Sequence, residues 1–566
     1  MTADFRNTYL SYEEITSTLQ HWVQKYPDHA RLESVGQTAE GRELWLLTVG
    51  PRPDEIRPAV WIDGNMHAAE LCGSNVAMAI AEDMLKFLAE GTTPQDLSPG
   101  VCAVLKDVLF YVMPRISPDG AEQMLTQSRY VRSNTRDERP DEGRSFWRPQ
   151  DIDGDGLALA MRVEDPTGEF SAAPEVPNLL LPRTLDDEGP FYKLYPEGMI
   201  ENYDGKTIPS PSFLSDSPTD LNRNFPWSWE PDHAQMGAGA FPGSEPESRA
   251  VIEFTSSHPN IFAWLNLHTF GGVGIRPLGD QPDSKMDQMD LAVYRQVAAW
   301  LEQYSGYPTV SGFEEFTYEP EKPIRGDLIE YAYHQRGCIG YVIELWDLFT
   351  KVGLERKKPF VKSYTDLSRE DMVAIAKWDR DHNAGRVLLE WRAFEHPQLG
   401  PVELGGIDPR VGMFNPPYEL LAETCAQQSA AFLRVAAMAP MIRFGDITLE
   451  DLGGGLTRLD ISVENHGYLP SYVLNSAKKL SWNEALYLKL DCDGCALAEG
   501  HAQRNLGHLD GWGRGLGDGT GALYYPYGLG STGTARQSIV VKGKGTVTAT
   551  INSCRVGAIR QTIPVG

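Results

Sequence analysis

The sequence predicts an α/β fold, with a mainly parallel mixed sheet flanked by helices, followed by an all-β sandwich. Apolar strand-like runs at residues 59–62, 109–113 and 261–267 alternate with helical patterns in the first part of the chain. Strands that alternate with helices are typical of a largely parallel sheet. In the last part, apolar residues recur at every second position, as at Leu459 and Ile461, which indicates half-buried antiparallel strands.

These patterns predict two domains, an α/β domain over residues 1–443 that carries the candidate site and a β-sandwich domain over residues 444–566. Between about residues 135 and 220 the periodicity is lost, and Pro, Asp, Glu and Gly dominate. Long loops in compact domains are usually functional or disordered, and aromatic residues such as Trp147 favour an ordered one. We therefore expect a long acidic insertion that forms a lid or rim beside the ligand crevice and lies outside the sheet.

Helices are predicted where apolar residues recur at helical spacing, and strands where short apolar runs end in turns. In the segment 70–88, for example, Val76, Ile80 and Met84 lie on one helical face. The same reasoning predicts helices over residues 12–22, 70–88, 372–394 and 418–437, and strands over residues 44–49, 60–62 and 109–113.

Composition excludes several classes of partner. The formal net charge of −27 would repel nucleic acid and anionic membrane surfaces. No apolar run approaches the ~18 residues that a membrane span needs, and the first residues lack the basic and apolar segments of a signal peptide. Seven cysteines, a sparse and odd number, fit reduced thiols better than a disulfide framework. We expect a cytoplasmic protein.

Polar side chains follow three of the predicted strands. His67 and Glu70 come after the strand at 59–62, His268 directly after the strand at 261–267, and Glu344 at the end of another apolar run. Ligand crevices of open α/β sheets lie outside the carboxyl ends of the strands, so these groups are expected to converge. Two imidazoles and a carboxylate are a well-known zinc set with an open position for water. Glu344 would supply the base that such a water requires.

Asn222 and Arg223 add a recognition group. A guanidinium fork can bind a carboxylate through two parallel hydrogen bonds, and the Asp220-Leu221-Asn222-Arg223 run is expected at the same crevice. Together with the zinc set, this predicts a zinc hydrolase whose substrates carry a free carboxylate.

The chain contains a set of specific motifs, which include His67-x-x-Glu70, Ser117-Pro118-Asp119-Gly120, Arg129-Tyr130-Val131-Arg132, Asp220-Leu221-Asn222-Arg223-Asn224-Phe225, Leu265-Asn266-Leu267-His268 and Ile343-Glu344-Leu345. In these motifs the chain resembles the zinc carboxypeptidase A family, the funnelins, over about residues 9–444.

For the chemistry, the resemblance implies that His67, Glu70 and His268 bind one catalytic zinc ion. Glu344 would be the general base that activates the zinc-bound water, and Arg132 would polarise the scissile carbonyl. The resemblance thus implies hydrolysis of a C-terminal peptide bond.

For the substrate, the resemblance implies that Asn222 and Arg223 hold the terminal carboxylate of a peptide, and that Tyr318 closes over it. Ile329 stands where the family sets the charge at the base of the specificity pocket, so apolar or aromatic C-terminal residues are expected. The chain departs from the family at Ala69, where digestive members have Arg, but it keeps the zinc ligands and the base.

A second metal site has two open interpretations. Asp151, Asp153 and Asp155 alternate with small residues, as in calcium loops. The twelfth position is Arg162 instead of the bidentate Glu of an EF-hand, so the segment is either a structural calcium site of another kind or a solvated acidic turn.

The leading prediction is therefore a zinc metallocarboxypeptidase. One enzymatic alternative uses the same ligands on N-acyl amino acids or on peptidoglycan stem peptides, which also offer a carboxylate. A non-enzymatic alternative is a peptide-binding module with an inactive site, although no zinc ligand and no base is lost.

Overall fold

The computed structural model describes residues 4–94, 97–136, 143–211, 219–319, 321–513 and 530–566. The α-helices of these ranges are α1 (Tyr12–Lys25), α2 (Cys72–Glu90), α3 (Pro99–Leu105), α4 (Pro118–Gln127), α5 (Pro246–Ser257), α6 (Gln288–Ser305), α7 (Gly312–Glu315), α8 (Leu328–His334), α9 (Leu348–Val352), α10 (Lys362–Thr365), α11 (Arg369–His382) and α12 (Tyr418–Ala436). None of these helices is long and apolar enough to cross a lipid bilayer.

The strands fall into three groups along the chain. The first comprises β1 (Ala30–Gln37), β2 (Glu43–Val49), β3 (Ala59–Gly64) and β4 (Leu109–Met113), and the insertion follows with β5 (Phe146–Pro149), β6 (Ala160–Glu164), β7 (Phe170–Ala173), β8 (Val176–Pro182), β9 (Phe191–Pro196) and β10 (Gly198–Glu201). The second comprises β11 (Ile261–Thr269), β12 (Val273–Arg276), β13 (Thr309–Ser311), β14 (Ile339–Leu345), β15 (Leu388–His396) and β16 (Gly400–Ile407). The third comprises β17 (Ile442–Gly453), β18 (Leu456–Asn465), β19 (Leu486–Glu499), β20 (Gln503–Gly507), β21 (Thr534–Ser553) and β22 (Gly557–Val565).

An eight-stranded mixed sheet forms the centre of the first domain, in the order β1-β2-β4-β3-β11-β14-β12-β13. Its four central strands, β4, β3, β11 and β14, run parallel, while β1, β2 and β12 add antiparallel pairs. Every residue of β3, β4 and β11 is buried, because helices cover both faces of the sheet. The predicted α/β fold with a mixed sheet is confirmed.

The register of the central strands aligns the candidate site. In β11 and β14, His268 lies opposite Glu344, and in β3 and β11, Gly64 lies opposite Leu267. Since these three strands are parallel neighbours, the segments that follow them leave the sheet at the same edge.

Two predicted helices have different bounds in the structure. The helix predicted over residues 70–88 begins at Cys72, so His67 and Glu70 lie in the connection that precedes it. The helix predicted over residues 372–394 ends at His382, and residues 388–396 form β15. The reason is local, since Ala384 and Gly385 adopt left-handed backbone conformations, with φ of 56° and 63°, which an α-helix cannot contain.

The insertion is ordered over its described residues and adds no strand to the eight-stranded sheet. Strands β6 to β9 join β15 and β16 in a separate six-stranded sheet of order β15-β16-β6-β9-β7-β8, and β5 pairs with β10. The pairing with β16 was not predicted, because Glu403 and its partner Arg162 lie 241 residues apart in the chain.

The C-terminal region is rich in strands, as predicted. Strands β17-β18-β21-β19-β20 are neighbours in an antiparallel sheet, and β22 pairs with β21. The long β21 pairs with β18 through its first half and with β22 through its second. Within the described ranges these strands are hydrogen-bonded into one sheet around its own apolar core, and a sandwich of two facing sheets stays a prediction.

A buried arginine joins the C-terminal region to the first domain. Arg555, between β21 and β22, is almost fully buried and donates hydrogen bonds from Nη1 to the carbonyl oxygens of Pro259 and Ile261. Its Nη2 donates to the carbonyl oxygens of Arg336 and Gly337, at 2.9 and 3.1 Å. These carbonyls lie at the amino ends of β11 and β14, opposite to the ends that carry His268 and Glu344.

Candidate active site

Three side chains converge at the carboxyl edge of the sheet. Nδ1 of His67 lies 2.8 Å from Oε1 of Glu70, and Nδ1 of His268 lies 2.9 Å from Oε2 of the same carboxylate. The two Nδ1 atoms are 3.0 Å apart. His67, Glu70 and His268 are only 4%, 4% and 2% exposed, and their ligand atoms are close enough to share one metal ion.

The outer nitrogen of each imidazole has an acceptor as partner. Nε2 of His67 donates to Oδ1 of Asp220 at 3.1 Å, and Nε2 of His268 donates to Oδ1 of Asn266 at 2.7 Å. In the neutral rings this leaves both Nδ1 atoms without a proton, so three acceptors face one another unless a cation lies between them. The donor set, its convergence and its outer hydrogen bonds therefore fit a zinc ion.

The hydrogen bond to His268 continues into the sheet. Nδ2 of Asn266 donates to Oδ1 of Asp63 at 2.5 Å, while Oδ2 of Asp63 accepts from the indoles of Trp61 and Trp264 at 2.7 and 2.8 Å. Burial raises the pKa of Asp63 to about 6, against these stabilising hydrogen bonds. Sequence analysis did not identify Asn266 or Asp63 as site residues, although Asn266 is part of the motif that ends in His268.

Asp220 links His67 to Arg132. The carboxylate accepts hydrogen bonds from Nε and Nη2 of Arg132 at 3.0 and 2.9 Å, and Nη1 of Arg132 lies 3.8 Å from Oε1 of Glu70. Burial opposes ionisation of Asp220, but the charges of Arg132 and His67 outweigh it and hold its pKa well below the usual range. Arg132 thus lies beside the His67, Glu70 and His268 cluster, and the part played by Asp220 was missed.

Residues 15–166 and 205–354 match the family model described as zinc carboxypeptidase. The chain belongs to the zinc carboxypeptidase family. Residues 441–564 match a separate model described as a domain of unknown function, which corresponds to the strand-rich C-terminal region.

Individual relatives share shorter stretches with this member of the zinc carboxypeptidase family. A carboxypeptidase B from Astacus astacus is 34% identical over 131 residues, which is 23% of this chain and 39% of that protein. A carboxypeptidase A4 from Mus musculus is 22% identical over 348 residues, or 61% of this chain and 64% of that protein. The chain therefore spans less than two thirds of the length of these relatives.

Among solved structures, bovine thrombin-activatable fibrinolysis inhibitor in complex with tick carboxypeptidase inhibitor has a TM-score of 0.42 at 15% identity, covering 76% of this chain and 98% of that one.

A cleft beside the candidate zinc site is lined by the remaining residues that the sequence singled out for chemistry or substrate binding, namely Arg132, Asn222, Arg223, Tyr318, Ile329 and Glu344. Glu344 lies next to His268 across the strand pair. Burial raises the pKa of Glu344 to about 8, and the charge of Glu70 acts in the same direction, while His268 and Arg132 oppose the shift.

Asn222 and Arg223 line the cleft, and the segment that begins α8 holds Asn222 in place. Oδ1 of Asn222 accepts the backbone N–H of Leu328 at 2.9 Å, and Nη1 of Arg223 donates to the carbonyl oxygen of Asn222 at 2.7 Å. Tyr318 also lines the cleft, is 57% exposed and packs its ring edge-on against Phe316.

The inner end of the cleft combines apolar walls with two acidic groups. Ile275, Ile329 and Val342 line it together with Asp327 and Glu330. Burial raises the pKa of Asp327 to about 7 and that of Glu330 to about 8. The two carboxyl groups were not predicted, although Ile329, which lies between them in the sequence, was.

Aromatic side chains form the opposite wall. Phe270, Tyr364 and Phe414 line the cleft, and the ring of Phe270 packs edge-on against both of the others, at 5.5 and 5.8 Å between centroids. No described residue of the insertion lines the cleft. The prediction that the insertion forms a lid or rim is therefore not supported by the part of it that the structure describes. The segment around Phe414 lines the cleft instead.

The predicted calcium ligands have a different partner. The ligand atoms of Asp151, Asp153 and Asp155 lie close together, but the guanidinium of Arg392 from β15 forms ion pairs with Asp153, at 3.1 Å, and with Asp155. Backbone N–H groups of the same turn donate to all three carboxylates. Because the arginine and the turn already stabilise the negative charge, the structure does not support a calcium ion here.

Proposed function

We propose that the protein is a zinc-dependent metallocarboxypeptidase that hydrolyses the C-terminal peptide bond of peptides. The observation that carries this proposal is the placement of the His67, Glu70 and His268 cluster, the Glu344 carboxylate and the Arg223 guanidinium around one cleft. A metal-binding cluster, a base and a carboxylate anchor are the three parts that such a reaction requires.

A zinc ion held by the cluster would supply Lewis-acid polarisation of the scissile carbonyl. Glu344 takes a proton from the attacking water and then delivers it to the leaving amine, as a general base and acid. Its position beside His268 and its burial support this role. Asp220 holds both the ring of His67 and the guanidinium of Arg132, so that Arg132 can donate to the carbonyl oxygen as negative charge develops on it.

Arg223 and Asn222 bind the terminal carboxylate of the substrate. A guanidinium offers two parallel donors that match the two oxygens of a carboxylate. Tyr318, exposed at the rim, closes over the bound residue. An internal peptide bond would place a neutral amide at this position and leave the guanidinium without its charged partner.

The released residue is apolar or aromatic. Ile275, Ile329 and Val342 provide apolar walls, and the raised pKa values of Asp327 and Glu330 keep both groups in the neutral acid form at mildly acidic pH. An apolar pocket distinguishes side chains by only about 1 to 3 kcal/mol per methylene, so the preference is broad among Phe, Leu and Tyr.

The test is product analysis with a peptide library in which each sequence is present as a free acid and as an amide. The zinc-loaded protein is expected to release single C-terminal residues from the free acids and to leave the amides intact. N-acyl amino acids serve as a further set of substrates. Cleavage of amides at the same rate as free acids would contradict the anchor, and activity on N-acyl amino acids alone would favour an amidohydrolase.

A further inference from the structure

The loop of residues 408–417, between β16 and α12, lies outside the residues that match the zinc carboxypeptidase family model. It nevertheless contacts three sides of the candidate site. Phe414 lines the cleft and packs against Phe270, which follows the His268 strand. The carbonyl oxygen of Gly412 accepts the indole N–H of Trp346, just after the Glu344 strand, at 3.3 Å.

The third contact of the 408–417 loop is made by Asn415, which is 0% exposed. Its Oδ1 accepts the backbone N–H of Cys72 at 2.9 Å, and its Nδ2 donates to the carbonyl oxygen of Ala69 at 2.8 Å. One side-chain amide therefore binds the backbone on both sides of the Glu70-Leu71 pair. Nδ2 also donates to the carbonyl oxygen of Arg410 at 2.9 Å, which fixes the amide within its own loop.

These bonds replace a cap that the local sequence lacks. Helix α2 begins at Cys72, and the residue before it, Leu71, has no side chain that can accept a hydrogen bond from the first turn. Backbone N–H groups of a first helical turn have no partner within the helix and need one outside it. Asn415 supplies that partner to the N–H of Cys72 from 343 residues away, while the N–H groups of Gly73 and Ser74 bond to the carbonyl oxygens of Glu70 and Leu71.

The loop is itself held by a second buried asparagine. Nδ2 of Asn383 donates to the carbonyl oxygen of Val411 at 2.8 Å and to Asp379 at 2.8 Å. Asn383 has no contact with the Glu70 segment among its hydrogen bonds, whereas Asn415 bonds to it directly. The two asparagines are therefore a matched pair. Replacing Asn383 removes a contact that holds the 408–417 loop, whereas replacing Asn415 also removes the contacts with the Glu70 segment.

We infer that Asn415 is a positioning residue, which holds the Glu70 backbone so that the carboxylate faces both imidazoles. This inference rests on the proposed zinc site. Its chemistry is specific to an amide, because a single side chain must accept from one backbone N–H and donate to two carbonyl oxygens. An aspartate in its place would set a carboxylate against the carbonyl oxygens of Ala69 and Arg410.

The test compares the zinc dissociation constants of full-length wild type, Asn415→Ala, Asn415→Asp and Asn383→Ala by competition with a chelator, together with the thermal unfolding of each metal-free protein. Partners outside the ligand set typically change metal affinity by about 10- to 100-fold. We expect Asn415→Ala and Asn415→Asp to weaken zinc binding by at least about tenfold, on that basis. Asn383→Ala is expected to lower the unfolding temperature without a comparable loss of affinity.

Three outcomes overturn the inference: zinc binding by folded Asn415→Ala that equals wild type, an equal loss in Asn383→Ala, or full affinity in Asn415→Asp. If wild type itself binds no zinc, the proposed zinc site fails, and that result is distinct from these three. If the Asn415 variants do not fold, hydrogen exchange of the Cys72 amide in metal-free wild type decides. Protection like that of the central turns of α2 supports the cap, and exchange at the rate of an unstructured peptide overturns it.

Discussion

Nδ1 of His67 and Nδ1 of His268 lie 3.0 Å apart, and both face the carboxylate of Glu70. His268 lies near the end of β11 and His67 in the connection after the adjacent parallel strand β3, and the outer nitrogens of the two rings are bound to Asn266 and Asp220. Because these acceptors hold the Nε2 protons, the neutral rings can approach so closely only with a cation between them.

The first prediction follows from the short distance between the two imidazole rings. Wild type should bind one zinc ion per chain, and His67→Ala, Glu70→Ala and His268→Ala should each lose it. At a free zinc concentration a hundredfold above the dissociation constant, binding should stabilise wild type by about 2.7 kcal/mol. Metal analysis after gel filtration and thermal unfolding provide the measurements.

His396→Ala is the matched control for the ligand variants. This histidine is buried, and its Nε2 donates a hydrogen bond to the carbonyl oxygen of Gly198. Neither residue is among those that line the cleft. The variant should lose stability and keep its zinc. A full complement of zinc in His268→Ala would show that the ion binds elsewhere.

The second prediction concerns the base. Glu344→Gln should lose about 10²- to 10⁴-fold in kcat, the usual contribution of a positioned proton transfer, while zinc content is unchanged. Glu330→Gln serves as its control, because Glu330 lines the same cleft and its Oε1 accepts the N–H of Gly279, which a glutamine oxygen can also do. Near-normal turnover by Glu344→Gln, or an equal loss in Glu330→Gln, would reject the assignment.

The third prediction is a change of specificity with pH. Burial raises the pKa of Asp327 to about 7 and that of Glu330 to about 8, so both groups are neutral below these values and become negative as the pH rises through them. The ratio of kcat/KM for a Lys-ended peptide to that for a Phe-ended peptide should therefore increase, by roughly tenfold between about pH 6 and about pH 9.

The double variant Asp327→Asn with Glu330→Gln removes both titrating groups and keeps their shape. Its ratio should stay constant over the same pH range, and Phe-ended peptides should remain the better substrates. A ratio that rises equally in the double variant would assign the pH effect to other groups.

The fourth prediction concerns the acidic turn of the insertion. Since Arg392 pairs with Asp153 and Asp155, added calcium should not change the unfolding temperature of the zinc-loaded wild type. Arg392→Ala should lower it slightly, because exposed ion pairs contribute little. Arg380→Ala, which removes an exposed arginine paired with Asp381, is the control. A rise of several degrees with calcium in wild type would restore the calcium interpretation.

The convergence of the His67, Glu70 and His268 cluster and the central strands were predictable because both depend on local sequence patterns. Buried parallel strands are continuous apolar runs, and ligands follow their carboxyl ends, so His67, Glu70, His268 and Glu344 could be identified without knowing the pairing order. The family motifs added Arg132, Asn222 and Arg223 by resemblance.

The features that were missed depend on pairs of residues far apart in the chain. Asn415 caps α2 across 343 residues, and Arg392 meets Asp155 across 237, and no periodicity records such contacts. The helix predicted over residues 372–394 was too long because Ala384 adopts a positive φ, which is uncommon for alanine and has no sequence signal. Phe414 was missed because its loop has no family motif.

The contacts of Arg555 have a consequence for biosynthesis. The ribosome makes the strands that carry His268 and Glu344 more than 200 residues before it reaches Arg555, whose guanidinium binds the carbonyl oxygens at the amino ends of those strands. A nascent chain therefore waits for more than 200 further residues before these buried carbonyls find their donors. A premature stop codon or a protease cut just before Arg555 would leave His268 and Glu344 in the product and remove the donor that these carbonyls bind. Such products should consequently be less stable than the chain that contains Arg555.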